Sequence, residues 1–215
     1  MKFHPEFDVV AVMLSVVSLL ILLYFGIAIP SFSQNLWVAY AFWIAGFIGA
    51  NSLGLVQRSQ ALTFEKIFGI ATFAGIIILA FFGINFAYAH LPQNVMFADK
   101  FISFAVGISE ELFFGVFVLG LLINYVGLEP ILAIFLSAGV HSFYHVPNWG
   151  YNPSLLILFF FCFFVARSVY VFAYPKVGVI LAAHGVWNFG IGGVAEQIVD
   201  KLKFLEAKIW VLLVA

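Results

Sequence analysis

Acidic, imidazole and amide side chains stand in this sequence where apolar neighbours surround them on both sides. Glu110 and Glu111 are adjacent in the string Ile108-Ser109-Glu110-Glu111-Leu112-Phe113-Phe114, His141 and His145 are four apart, and so are His184 and Asn188. On a helix a spacing of four puts both side chains on one face, whereas adjacent residues point about 100° apart and can share a cavity from two directions. The chemistry these types offer is narrow. A carboxylate in a dry site can act as a general base toward water while a second acid orients or pairs, an imidazole can carry a proton or bind a metal, and an Asn amide can donate to a developing oxyanion. Arg167 reads as a cation that extends to an interface or pairs with one of the glutamates. His4 and His90 fall at the edges of apolar runs and are given no role.

The elements that would carry these groups are long and apolar. Apolar residues make up 65% of the 215 positions and charged ones 9%, with mean hydropathy +1.14, which excludes a water-soluble domain. Seven runs stand out: Val9–Ile29, Leu36–Leu55, Ile67–Ala89, Phe101–Tyr125, Ile131–Val146, Leu155–Tyr174 and Val177–Val194. Each approaches the roughly 20 helical residues that cross about 30 Å of hydrocarbon, and in lipid a helix satisfies its own backbone. Breaks between them carry Pro, Gly and polar residues, among them Gly127-Leu128-Glu129-Pro130 and Pro175-Lys176. Leu205–Ala215 is apolar but short. The expectation is an all-α polytopic bundle of about seven to eight spans, a single integral membrane domain over 1–215 with the chemistry-bearing half at about 99–194. The run opening at Val9 is longer than a signal-peptide core and is read as a retained span.

The charges exclude some functions. Net charge is −1 and no basic run is present, so no surface suits nucleic acid. With seven spans, Lys2, Arg58, Lys66 and Lys176 fall on one side and Lys100, Lys201, Lys203 and Lys208 on the other; weighting the first helices favours a cytoplasmic N-terminus. Cys162 has no cysteine partner and reads as packing, as does the run Phe159-Phe160-Phe161 with Phe163-Phe164, facing lipid or neighbouring helices. Inside the runs, ionisable residues concentrate from Glu110 to His184. A charge at mid-bilayer costs from about 2.5 to more than 10 kcal/mol, so these groups are expected to face one another around a cavity.

At these residues the sequence resembles the CAAX protease and bacteriocin-processing family of intramembrane proteases, also called the Abi family. Its pattern is a Glu-Glu pair followed by an arginine, then Phe-x-x-x-His on one helix and His-x-x-x-Asn on another. Here the elements read Glu110-Glu111-Leu112-Phe113-Phe114-Gly115, His141-Ser142-Phe143-Tyr144-His145 and His184-Gly185-Val186-Trp187-Asn188. The resemblance covers approximately Asp99 to Gly193. Gly115 stands at the arginine position and His141 at the phenylalanine position. Arg167 is a candidate substitute for the missing cation.

The resemblance implies an endopeptidase that cleaves a membrane-bound or lipidated protein within the bilayer. Glu110 would activate water with His145 assisting, His184 and Asn188 would position or stabilise the oxyanion, and Glu111 would support the geometry. The family is described both as metal-dependent and as using glutamate alone. Either no cofactor is required, or zinc is held by His145, His184 and Glu110, although no His-Glu-x-x-His element is present. His141 would add a ligand or donor, or fill the volume of the absent ring. A catalytically silent scaffold or bacteriocin-immunity partner is the alternative that Gly115 supports. A proton-coupled transporter is disfavoured by the order of the motifs and by the lack of repeated halves.

Overall fold

A computed structural model describes residues 3–28, 30–58, 94–146 and 153–191. The expected span Ile67–Ala89, the segment Leu205–Ala215 and His90 lie outside the described residues. The remaining runs form helices: α1 (Val9–Ala28), α2 (Pro30–Trp43), α3 (Ala50–Ser52), α4 (Asn94–Glu111), α5 (Leu119–Asn124), α6 (Pro130–Tyr144), α7 (Pro153–Phe172) and α8 (Val177–Ile191). Two π-helical segments, π1 (Ile44–Gly49) and π2 (Leu112–Val118), join α2 to α3 and α4 to α5 without a break. The two-residue strands β1 (Glu6–Phe7) and β2 (Gln57–Arg58) pair in parallel, a small addition to the expected all-α architecture.

Among the described residues, three segments are long and apolar enough to cross a membrane: Val9–Gly26, Lys100–Asn124 and Leu155–Phe172. Leu36–Ser52, Pro130–Tyr144 and Val177–Phe189 are apolar but shorter.

Local chemistry sets where these helices start and stop. The carboxylate of Asp8 accepts the amide of Ala11 at 2.9 Å, capping α1, and also accepts the amide of Gly178 at 3.0 Å near the start of α8. One acid thus ties the first turn of α1 to the helix that carries His184. After α5 the chain turns through Gly127 at φ +76°, a left-handed conformation that suits glycine, and Pro130 opens α6 where its missing N–H is no loss.

The helix formed by α4 and π2 is central, packed against α8, α1 and α2, while α6 lies on α7. Ile108, Leu112, Leu119, Ile134 and Leu181 are fully buried there. The two π segments meet at Gly46, where a Cβ would lie 2.6 Å from the Leu112 carbonyl oxygen, so only glycine permits this approach. Ser137 Oγ of α6 donates to the Phe114 carbonyl inside π2 at 2.6 Å, fastening the widened turn to the helix that carries His141.

Candidate active site

Four helices deliver the polar groups to one place. Glu110 and Glu111 end α4, His141 and His145 sit at the last turn and cap of α6, Arg167 lies in α7 and His184 in α8. Glu110, Glu111, His141, Arg167 and His184 are all buried, and the His145 side chain is 13% exposed.

The two glutamates have different surroundings. Glu111 is occupied on both oxygens: Arg167 Nε donates to Oε1 at 3.1 Å and Nη2 to Oε2 at 3.3 Å, and His184 Nδ1 lies 2.9 Å from Oε2. Removing several kcal/mol of hydration from each ion is tolerable only when a buried pair is this fully bonded. Glu110 Oε2, by contrast, is buried without a hydrogen bond. Facing it are three imidazole Nε2 atoms, of His141 at 3.6 Å, His184 at 3.7 Å and His145 at 3.9 Å.

Arg167 does not extend to an interface. It is fully buried, its Nη2 is 2.7 Å from His141 Nδ1 as well as bonded to Glu111, and its guanidinium lies 5.4 Å from the Phe163 ring. Gly115 is one turn beyond Glu111, and a Cβ there would overlap the Glu111 carboxylate. The glycine therefore leaves the space into which Glu111 turns to meet Arg167.

Aromatic rings hold His141 flat. Phe163 stacks on it at 3.8 Å between centroids and Phe114 at 4.3 Å, both within 20° of parallel. This function of Phe163 escaped the reading of the phenylalanine run as lipid-facing or interhelical filler. The signal was available, because Phe163 and Arg167 are four apart and share a face of α7. Asp8 was missed too, although an Asp directly before an apolar run is a helix-start signal.

Asn188 is apart from the cluster's bonds. Half-buried one turn beyond His184, it donates Nδ2 to the Ser103 carbonyl of α4 at 3.2 Å. Its amide has a second N–H to offer.

As a metal site, Glu110, His141 and His184 are close enough, with one ligand atom from each lying within 4.8 Å of the others. Ligand atoms around a tetrahedral ion at about 2.0–2.1 Å are roughly 3.4 Å apart, near the Nε2–Oε2 separations here. The sequence had pointed to His145 in place of His141; His145 is only slightly farther from the same oxygen.

Residues 92–190 match the family model described as type II CAAX prenyl endopeptidase Rce1-like. The matched segment holds every residue of the cluster and agrees with the resemblance seen in the motifs. No curated protein and no solved structure matches the chain.

Proposed function

We propose that the chain is an intramembrane endopeptidase that hydrolyses a peptide bond of a membrane-associated or lipidated protein, with water activated by Glu110. The observation that carries this reading is the division between the glutamates: Glu111 is bonded on both oxygens to Arg167 and His184, while Glu110 keeps a buried oxygen facing three imidazoles. A base needs an unengaged lone pair within reach of the proton it takes, and of the two glutamates Glu110 offers one.

In this scheme Glu110 Oε2 takes a proton from water as the oxygen attacks the scissile carbonyl, and the proton is passed on to the leaving amine. His145, facing the same oxygen, assists. The second N–H of Asn188 positions the substrate carbonyl, and His184, its Nε2 3.7 Å from Glu110 Oε2, relays the proton. Glu111 orients His184 through Nδ1. The family's prenylated substrates make an isoprenoid-modified C-terminus the first substrate to try. In a metal-assisted variant, Glu110, His145 and His184 would hold zinc, which polarises a carbonyl and activates water when bound.

The test is cleavage of a membrane peptide library, including prenylated peptides, by detergent-purified wild type, Glu110→Ala and His184→Ala. Loss of products in both variants is expected. Equal cleavage by all three would end the reading. Metal analysis with chelator treatment separates the two variants of the mechanism: activity persisting in metal-free protein favours glutamate alone.

A further inference from the structure

Hydrogen-bond direction in the cluster fixes more than distance does. A guanidinium has five N–H donors and no acceptor, so the 2.7 Å contact from Arg167 Nη2 to His141 Nδ1 requires a lone pair on Nδ1. The ring's one proton is then on Nε2, the atom 3.6 Å from Glu110 Oε2. At His184 the direction is reversed. Its Nδ1 is 2.9 Å from Glu111 Oε2, and a carboxylate already accepting from Arg167 takes a proton from the ring, which leaves a lone pair on Nε2, 3.7 Å from the same Glu110 oxygen.

We infer that Arg167 is a positioning residue that sets His141 and His184 in opposite tautomers, so that His141 presents an N–H and His184 a lone pair to Glu110. His141 is accordingly a hydrogen-bond donor of the site and not a metal ligand, despite its place in the closest trio of ligand atoms. Ligation through its Nε2 would move the proton to Nδ1, against the Arg167 donor. The sandwich of Phe114 and Phe163 prevents the ring from tilting away from this arrangement. The N–H needs to move by less than about 1 Å to reach hydrogen-bonding distance of Glu110 or of an oxyanion beside it. The tautomers follow from these bonds with the His184 ring neutral; the donor's part in turnover rests on the protease reading.

The test uses full-length protein in nanodiscs, labelled with 15N-histidine, and long-range proton–nitrogen correlation spectra, which distinguish the two tautomers. His141→Phe and His184→Phe assign the patterns. The pattern lost in His141→Phe is expected to be Nε2–H and the one lost in His184→Phe to be Nδ1–H. The His141 signal should persist when Zn2+ is added to chelator-treated protein, and Arg167→Lys, which keeps a donor-only cation, should retain it. In Arg167→Leu that folds, the His141 pattern should become mixed. An Nδ1–H form of His141 in wild type, its loss on adding Zn2+, or an unchanged pattern in folded Arg167→Leu would each overturn the inference. With a cleavable peptide, His141→Phe should lower kcat about 10²-fold with KM little altered, and an unaltered kcat would remove the donor from the reaction. A wild type that cleaves nothing defeats the protease reading, while the spectra still decide the tautomers.

Discussion

Gly115 and His141, the two positions at which the chain departs from the pattern it resembles, are coupled through one side chain. Arg167 reaches Glu111, whose carboxylate lies over Gly115, and also His141. A cation from α7 pairs with Glu111, and the bare glycine leaves room for the carboxylate to turn that way. Gly115→Ala tests this, because two effects oppose each other. Alanine favours a helix over glycine by about 0.8–1.0 kcal/mol. Its Cβ, however, overlaps a carboxylate that three hydrogen bonds hold in place, and leaving a buried bonded group unsatisfied costs about 1–3 kcal/mol, more when it is charged. The overlap should win. Gly115→Ala is therefore expected to lower the thermal midpoint and to reduce cleavage; a more stable, fully active variant would show that Glu111 moves freely and that its bonds to Arg167 matter little.

At the scale of elements, what the sequence shows depends on how far apart the partners are in the chain. Spacings of four fixed the faces of His141 with His145 and of His184 with Asn188, and some apolar runs match helices to within a few residues, Val9–Ile29 for α1 and Leu155–Tyr174 for α7, whereas α2 starts at Pro30, six residues before the expected Leu36, and α4 at Asn94, seven before the expected Phe101. Contacts across helices have no such signature. Nothing local says that Arg167 meets Glu111, 56 residues earlier, rather than an interface, or that π1 and π2 pack through Gly46. Nor does anything local say that Asn188 donates to the Ser103 carbonyl, where one further turn of α8 carries it along α4. Asp8 shows how such long-range ties act, since its carboxylate both caps α1 and holds the amide of Gly178. Replacing an Asp cap with Ala costs about 0.5–2 kcal/mol. Asp8→Ala should lower the thermal midpoint accordingly and should also reduce cleavage, because α8 loses a tie near its start while carrying His184 toward Glu110. Asp8→Asn keeps an oxygen acceptor and should recover most of both losses. Full activity in a destabilised Asp8→Ala would confine the cap to stability.

For the whole molecule, four separate stretches of chain meet at one end of the bundle. Glu6 pairs with Gln57 through the short ladder and bridges to Lys176, the Glu6 amide donates to the Pro175 carbonyl, Asn124 bonds both backbone groups of Phe3, and Tyr125 donates to the Leu53 carbonyl. The start of α1, the end of α3, the α5–α6 turn and the α7–α8 turn therefore share one side, as expected if the intervening helices cross in alternating directions. From that end α7 runs back through 20 residues to Pro153, which at about 1.5 Å per residue is roughly 30 Å, the thickness of the hydrocarbon. Arg58 and Lys176 belong to the shared end, with Lys2 and Lys66 close to it in sequence, so weighting the basic residues near the first helices predicts that this end faces the cytoplasm. Single cysteines at the exposed positions Gln57, Val126 and Tyr174, introduced into a Cys162→Ser background, should all react with a membrane-impermeant maleimide from the cytoplasmic face of sealed vesicles. A cysteine at Pro153 should react only from the opposite face. Labelling of Gln57→Cys and Val126→Cys from different faces would contradict the shared end, and with it the antiparallel arrangement of α4 and α8, His184 on Glu111 and Asn188 on Ser103, against which the cluster is assembled.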